Sequence, residues 1–386
     1  MLKQGRKGMG RPQKTPKRRK RLKSRKQWLR KMKKLNKGLR KKVRDAIRNG
    51  KVEERDGIYR FSDRIGSIPR GTVIIGKRVV YGYPKIRRVF SLAEGAERNL
   101  GKKETWAEEK IDGFNLRVAY EHGKVVCISR GGFLDYFAME KISEREEVGE
   151  FFKIHPEKVL HIEMVGCTPY TPPAKDYDVK YYVFDISDGK LNFLPTGEKR
   201  KLCREYRMGA APLVERMGGP DSGKLKKAAI RVEKSGGEGI VLKQDKPRKI
   251  IKYVVPSSEI EDLAENSHMI FDMPAGFMKQ RVFRSAISIS ELGLDKDKYD
   301  GKLGRALHKN LYTAIKNRGE VSEDFEVLVK KNRTWRKVLE HMSDEVRIEV
   351  DSKKKEEGGT RIKFRKIYKK GSRRLRRAIG GYAQAD

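Results

Sequence analysis

One lysine in this chain of 386 residues keeps company that a solvated side chain does not need. Lys110 falls in Glu109-Lys110-Ile111-Asp112-Gly113-Phe114-Asn115, beside a carboxylate and just before an Asp-Gly pair. A free lysine titrates near ~10.4 and is almost wholly protonated at neutral pH, so using it as a nucleophile demands surroundings that favour the neutral amine. Lys-x-Asp-Gly alone is a weak signal, which a hairpin turn with a solvated lysine explains equally well. The order of further segments along the chain tips the balance.

Ser129-Arg130-Gly131-Gly132 sets an arginine beside two glycines, so that a guanidinium and bare backbone can approach a ligand closely. Leu160-His161-Ile162-Glu163-Met164-Val165-Gly166 carries one acid in an otherwise apolar run, where an unpaired carboxylate is costly. Tyr181-Tyr182-Val183-Phe184-Asp185-Ile186 is an aromatic run ending in an acid. Gly236-Gly237-Glu238-Gly239-Ile240-Val241-Leu242-Lys243 opens on glycines, offers a carboxylate and ends in lysine. Lys249-Ile250-Ile251-Lys252-Tyr253 follows, with two more cations.

This series, in this order, resembles the covalent nucleotidyltransferase superfamily of ATP-dependent DNA and RNA ligases and mRNA capping enzymes. Pro69-Arg70-Gly71-Thr72-Val73-Ile74 and Gly82-Tyr83-Pro84-Lys85-Ile86-Arg87-Arg88-Val89 are similar to the paired elements that precede the nucleophile in RNA ligases. The wording is nearest to the archaeal ATP-dependent RNA ligases that circularise single-stranded RNA, strongly from Arg70 to Pro256. The resemblance implies an α+β fold with an antiparallel-sheet nucleotidyltransferase core, an ATP-grasp-like ligase architecture, flanked by a small N-terminal module and helical C-terminal domains. It implies ATP and Mg2+, with Mn2+ as an alternative. It implies a single-stranded RNA partner with 5′-phosphate and 3′-hydroxyl ends, and a homodimer.

Under that resemblance Lys110 is the nucleophile that becomes a lysyl-adenylate. Lys252, with Lys243 beside it, neutralises the α-phosphate, and whether Lys243 or Lys249 pairs with Lys252 stays open. Glu238 is the metal-holding carboxylate, since a hard cation prefers carboxylate and water oxygens. Arg130 and Glu163 hold the ribose hydroxyls, Glu109 touches the adenine edge, Asn115 belongs to the nucleotide-binding set, and Phe184 either stacks on adenine or is plain core. Asp112 orients Lys110 and its turn. Asp185 is open between an ion-pair partner and a metal ligand.

These side chains need a scaffold. Thr105 to Lys110 reads as a strand and Phe114 to Tyr120 alternates as a second, placing Asp112-Gly113 at the turn between them. Strands are expected at Lys124 to Ile128 and through the apolar segments above, with helices near Met139 to Phe152 and Lys224 to Lys234. Ser258-Glu259-Ile260-Glu261 has the form of a capping box opening a helix. The expected organisation is a basic arm over 1–40, an N-terminal module over 41–64 with an Asp56-Gly57 turn, and the catalytic domain over 65–256. A helical region over 257–322, to which the resemblance gives a dimerising role, and a basic helical domain over 323–386 complete it.

Composition agrees with a polyanionic partner. The net charge is +40 and the sequence pI about 10.1, a potential that gathers nucleic acid and makes binding salt-dependent. Residues 1–50 hold 23 Lys or Arg against the single acid Asp45, so the other residues keep 69 basic against 51 acidic, a net of +18. The basic run Arg18 to Arg44 has Trp28, Leu29, Met32, Leu35 and Leu39 at helical spacing and reads as an arm that orders on RNA. Cys127, Cys167 and Cys203 are an odd number without Cys-x-x-Cys spacing, which argues against disulfides or zinc and for a reducing cytoplasm. No apolar run approaches a membrane span. His161 reads as a strand residue rather than a catalytic base. The rival readings are a DNA ligase or guanylyltransferase of the same superfamily, and a basic RNA-binding protein without catalysis.

Overall fold

The computed structural model describes residues 37–382 apart from 77, 172–176, 271–272, 275 and 343–344, so most of the basic arm lies outside the described residues. The chain enters through helix α1 (Lys37–Arg48), which turns Val43 and Ala46 inward onto strands β1 (Val52–Arg55) and β2 (Ile58–Phe61). Asp56 and Gly57 connect those strands with φ of 50° and 78°, the two-residue geometry whose twist suits an antiparallel hairpin. Strands β3 (Val73–Ile75) and β4 (Arg78–Val80) continue the sheet in the order β1-β2-β3-β4. The N-terminal module therefore runs to Val80 rather than ending near residue 64, because the partner of β2 comes only after the Pro69-Arg70-Gly71 loop.

Two sheets form the catalytic core. One has the order β11-β6-β12-β13-β5 and contains β5 (Arg87–Arg88), β6 (Thr105–Lys110), β11 (Leu213–Met217), β12 (Gly239–Asp245) and β13 (Arg248–Val254). The other has the order β10-β9-β7-β8 and contains β7 (Phe114–Glu121), β8 (Lys124–Ser129), β9 (Val159–Gly166) and β10 (Val179–Ser187). All pairings are antiparallel except β5 with β13. Helices α2 (Leu92–Asn99) and α6 (Ser222–Ser235) bury Leu92, Ala96, Leu225 and Ala228 against Ala107, Ile240, Leu242, Ile251 and Tyr253 of the first sheet. The second sheet packs Leu116, Val118, Leu160, Ile162 and Val183 with Phe137, Ile142, Phe151 and Phe152 of α3 (Tyr136–Ser143) and α4 (Glu146–Ile154). A single helix over 139–152 is thus replaced by two short ones, the first capped by the Asp135 carboxylate. Helix α5 (Thr196–Glu205) adds Cys203 to the same core.

Beyond β13 the chain is helical, in α7 (Pro256–Asn266), α8 (Gly276–Leu292) and α9 (Lys296–Lys316). Helix α7 starts two residues before the expected capping box, with Pro256 in the first turn, where its missing N–H leaves no bond unmade. The region 323–386 differs from the helical expectation. It is a three-stranded antiparallel sheet, order β14-β16-β15, made of β14 (Ser322–Val329), β15 (Val346–Glu356) and β16 (Gly359–Tyr368), with helices α10 (Asn332–His341) and α11 (Lys369–Ile379). Phe325, Val327, Ile362 and Phe364 alternate with charged or half-buried residues and join the core of the second sheet. The density of lysine and arginine on the outward face of β16 hid that period of two. No helix among the described residues is long and apolar enough to cross a membrane, and Cys127, Cys167 and Cys203 are buried, with no disulfide among them.

Candidate active site

Strands β6 and β7 belong to different sheets, so Ile111-Asp112-Gly113 is a crossover and not a hairpin turn. That places Lys110 at the seam between the two sheets. Gly113 makes the crossover feasible, since a Cβ there would come within 2.4 Å of the Met164 carbonyl oxygen on β9. The period of two along β6 then sorts the side chains. Ala107 packs toward the helices, whereas Glu108 and Lys110 face the cleft.

Lys110 Nζ is ion-paired with Glu238, whose backbone stands just before β12 and accepts a hydrogen bond from Val255 N at 3.0 Å. Gly239 pairs with Lys110 across the ladder, and Val241 pairs with Lys252 on the next strand. Lys252 thus lies on the cleft face, one strand beyond Glu238. Burial, then Arg88, Lys110 and Arg130, pull its ammonium down to about 8. Arg88 neighbours it on β5. An unliganded site that crowds these cations is one that would welcome phosphate.

Strand parity settles the choice between the other two lysines. Lys249 shares the parity of Ile251 and Tyr253, which pack toward the helices, so it cannot join Lys252 at a phosphate. Lys243 does share the cleft face, yet its ammonium is committed. It donates to Glu108 Oε2 at 2.8 Å and to the Phe184 carbonyl at 2.6 Å, and lies 3.3 Å from Asp185 Oδ1, with its side chain 2% exposed. Burial lowers its pKa, but Asp185 and Glu108 outweigh burial and hold it above the usual range. Lys243 is therefore a buried strut under the cleft rather than the expected partner of Lys252.

The opposite wall comes from the second sheet. Asn115 on β7 and Glu163 on β9 are direct cross-strand partners, 3.4 Å apart from Asn115 Nδ2 to Glu163 Oε2. Asn115 Oδ1 is buried with no partner among the described residues, an acceptor facing a site built for more than protein. Burial pushes Glu163 up to about 7, against the pull of Lys110, and Glu238 is pushed up to about 7 in the same way. Asp112 is also raised, by burial first. Phe184 sits at a β-bulge and lines the cleft, with its ring 5.3 Å from Tyr83 in an edge-on pair. Arg130 follows β8 at the exposed mouth of the cleft. Glu109 has the wrong parity for the adenine role. Its carboxylate lies beside Gly237 and its amide donates to the Pro212 carbonyl at 2.9 Å, while the residue still borders the cleft.

Asp185 is resolved as an ion-pair residue. It accepts from Tyr83 Oη at 2.5 Å and pairs with Arg248 Nη2 at 2.8 Å as well as with Lys243. Together with Glu108, which Lys199 and Arg200 also contact at 2.5 and 3.0 Å, these groups form a buried charged layer beneath the cleft. Glu108 and Tyr83 were missed as site residues. Parity with Lys110 and adjacency to Pro84 could have found them, whereas nothing in the helix sequence around Lys199 marks it.

Among the described residues no group of three His, Cys, Asp or Glu side chains could hold a metal by itself. The donor set fits a magnesium-type ion all the same, because such an ion keeps several waters and takes one or two carboxylates plus phosphate oxygens. Glu238, a mostly buried carboxylate ion-paired with Lys110, is the carboxylate available for it.

Residues 103–254 match the RNA ligase family, and residues 266–382 match the Ligase Pab1020 C-terminal region. A candidate ATP-dependent DNA ligase from Aquifex aeolicus superposes with a TM-score of 0.82 at 26% identity, covering 89% of this chain and 99% of that one. An archaeal ATP-dependent RNA ligase superposes with a TM-score of 0.81 at 23% identity, covering 89% of this chain and 96% of that one, which bears out the fold class. An uncharacterized protein of Methanocaldococcus jannaschii is 29% identical over 333 residues, which is 81% of this chain and 82% of that protein.

Proposed function

We propose, from the membership of its core in the RNA ligase family, that this chain uses ATP to join a 5′-phosphate to a 3′-hydroxyl of single-stranded RNA through a lysyl-adenylate on Lys110. The observation that carries the reading is the cleft itself. A lysine at a seam between two sheets is held against a buried carboxylate, faces a second cation, and looks across at Asn115 and Glu163.

Lys110 Nζ attacks the α-phosphorus of ATP. A nitrogen–phosphorus bond forms, the bond to the bridging oxygen breaks, pyrophosphate leaves with that oxygen, and a proton of the amine is released to solvent. Glu238 would hold the Mg2+ or Mn2+, whose chemistry is to neutralise charge at the phosphates. Lys252 stabilises charge developing on the α-phosphate oxygens. Phe184 and Tyr83 border the adenine, and Asn115, Glu163 and Arg130 reach the ribose. An RNA 5′-phosphate oxygen then takes the adenylate from Lys110, restoring the amine. Finally a 3′-hydroxyl attacks that 5′-phosphorus, forms the phosphodiester and releases AMP. Circularisation, a dimer through the 257–322 helices and work in a reducing cytoplasm complete the proposal.

A second reading has support of its own, because the Aquifex aeolicus relative is described as a DNA ligase. Both share the first step. Mass spectrometry after incubation with ATP and Mg2+ should find one AMP on Lys110. Labelled 5′-phosphorylated RNA should then be sealed faster than DNA of the same sequence. No adduct would sink both ligase readings, and preferential sealing of DNA would favour the second.

A further inference from the structure

A second hollow adjoins the nucleotide cleft, and the two share Asn115, Arg130 and Glu163 as a common wall. Its other walls come from three separate parts of the chain. Arg55 belongs to the N-terminal hairpin, Phe114, Phe133 and Tyr170 to the catalytic core, and His341 to the end of helix α10.

Contacts between these parts hold the hollow open. Arg55 Nη2 donates to the Glu340 carbonyl at 3.0 Å, and Asp56 meets His341 Nε2 at 3.1 Å and Lys337 Nζ at 3.4 Å. The His341 ring stacks on Tyr136 with centroids 5.8 Å apart. Phe114 and Tyr170 make an edge-on pair at 4.9 Å, and the Arg55 and Arg60 guanidinium groups lie 5.3 and 4.0 Å from the centre of the Phe133 ring. The partnerless Asn115 Oδ1 lies on the shared wall.

Aromatic rings interleaved with arginines are what single-stranded nucleic acid requires, since bases stack on rings and phosphates pair with guanidinium groups. ATP has its own adenine site next door, so a second nucleotide subsite must serve another substrate. We propose that this hollow seats the terminal nucleotide of the RNA to be joined, with its base against the Phe114–Tyr170 pair and its phosphate between Arg55 and Arg130. The inference rests on the ligase reading and adds the place at which the RNA end enters. It also gives the C-terminal module a direct part in the site, through His341.

The test uses full-length Arg55→Ala and Phe114→Ala proteins. Lysyl-adenylate formation from ATP alone should stay within about two-fold of wild type, which also shows that both variants fold. AMP transfer to a 5′-phosphorylated RNA, sealing of RNA already carrying a 5′-adenylate, or both should fall on the order of ten-fold, the scale of removing one base stack. Loss in the transfer step assigns the hollow to the 5′-phosphate end, and loss confined to the sealing step assigns it to the 3′-hydroxyl end. RNA steps that are unchanged in both variants, or that fall only in proportion to the ATP step, would overturn the proposal. Absence of lysyl-adenylate in the wild type would dismiss the ligase reading instead. In that case unaltered affinity of the two variants for 5′-phosphorylated RNA would dismiss the hollow separately.

Discussion

Replacing Glu163 by glutamine should flatten part of the pH dependence of stability. The carboxyl is held at about 7 in the folded protein, chiefly by burial, against an ordinary value of 4.5. The folded state therefore binds this proton more tightly than the unfolded chain does. Its contribution is fully present below pH 4.5 and is lost as pH rises through about 7. At 1.36 kcal/mol per pH unit, a span of about 2.5 units amounts to about 3 kcal/mol. Glutamine keeps the shape and a hydrogen-bonding partner for Asn115 but has no proton to lose. Denaturant unfolding of both proteins at steps between pH 4.5 and 8 gives two stability curves. Their difference should change by about 3 kcal/mol across that window, with the wild type losing ground as pH rises. Glu238 titrates in the same range and interacts with Glu163, so the difference curve should be broader than a single-site titration. Parallel curves would refute the burial argument.

Other expectations follow from the same geometry. Lys110→Ala should abolish the AMP adduct seen by mass spectrometry yet retain some sealing of RNA that is already 5′-adenylated; an adduct at wild-type level would remove Lys110 from its role. Glu238→Ala and Lys252→Ala should each slow adenylate formation by ~10² to 10³ with little change in thermal stability, and unchanged rates with unchanged Mg2+ dependence would discard the phosphate site. Lys243→Met should do the reverse, lowering the unfolding midpoint because Glu108 and Asp185 lose a buried counter-charge, at about 3 kcal/mol or somewhat less since other cations remain beside both; a purely kinetic defect would return Lys243 to the phosphate. Deleting residues 1–36 should weaken RNA binding and flatten its salt dependence by about 0.7 in log–log slope for each RNA phosphate that the arm had neutralised, while leaving the ATP step untouched; an unaltered slope would make the arm a bystander.

Most of the strands that carry the site were legible as largely apolar or alternating runs with a few polar intrusions. Thr105 to Lys110 is observed with the expected ends, and the segments around Glu163, Phe184 and Lys252 differ by one or two residues. The sheet to which each strand belongs was not legible. Asp112-Gly113 looks like a hairpin turn in sequence, and only the pairing of β6 with β12 and of β7 with β9 shows a crossover. That pairing also decides parity, which set the Glu109 carboxylate beside Gly237 and sent Lys243 into the ion layer. The C-terminal strands were misread as helix because lysine and arginine fill the outward positions of β16 and leave a charge run in place of a clean alternation.

The seam that holds Lys110 also divides the interior. The side chains behind β6, β12 and β13 form one apolar cluster with α2 and α6, and those behind β7, β9 and β10 form another with α3, α4 and the C-terminal sheet. The two halves are joined by the strap at Ile111 to Gly113, by the chain that runs from β10 through α5 to β11, and by the buried ion pairs of Lys243 with Asp185 and of Glu108 with Lys199. A nucleotide in the cleft touches both halves, and its binding free energy adds directly to their cohesion. The covalent adenylate on Lys110 would make that cohesion lasting. Amide hydrogens along the seam should then exchange slowly in the charged enzyme and recover their faster exchange when AMP departs, so the first chemical step also sets how rigid the enzyme is when it meets RNA.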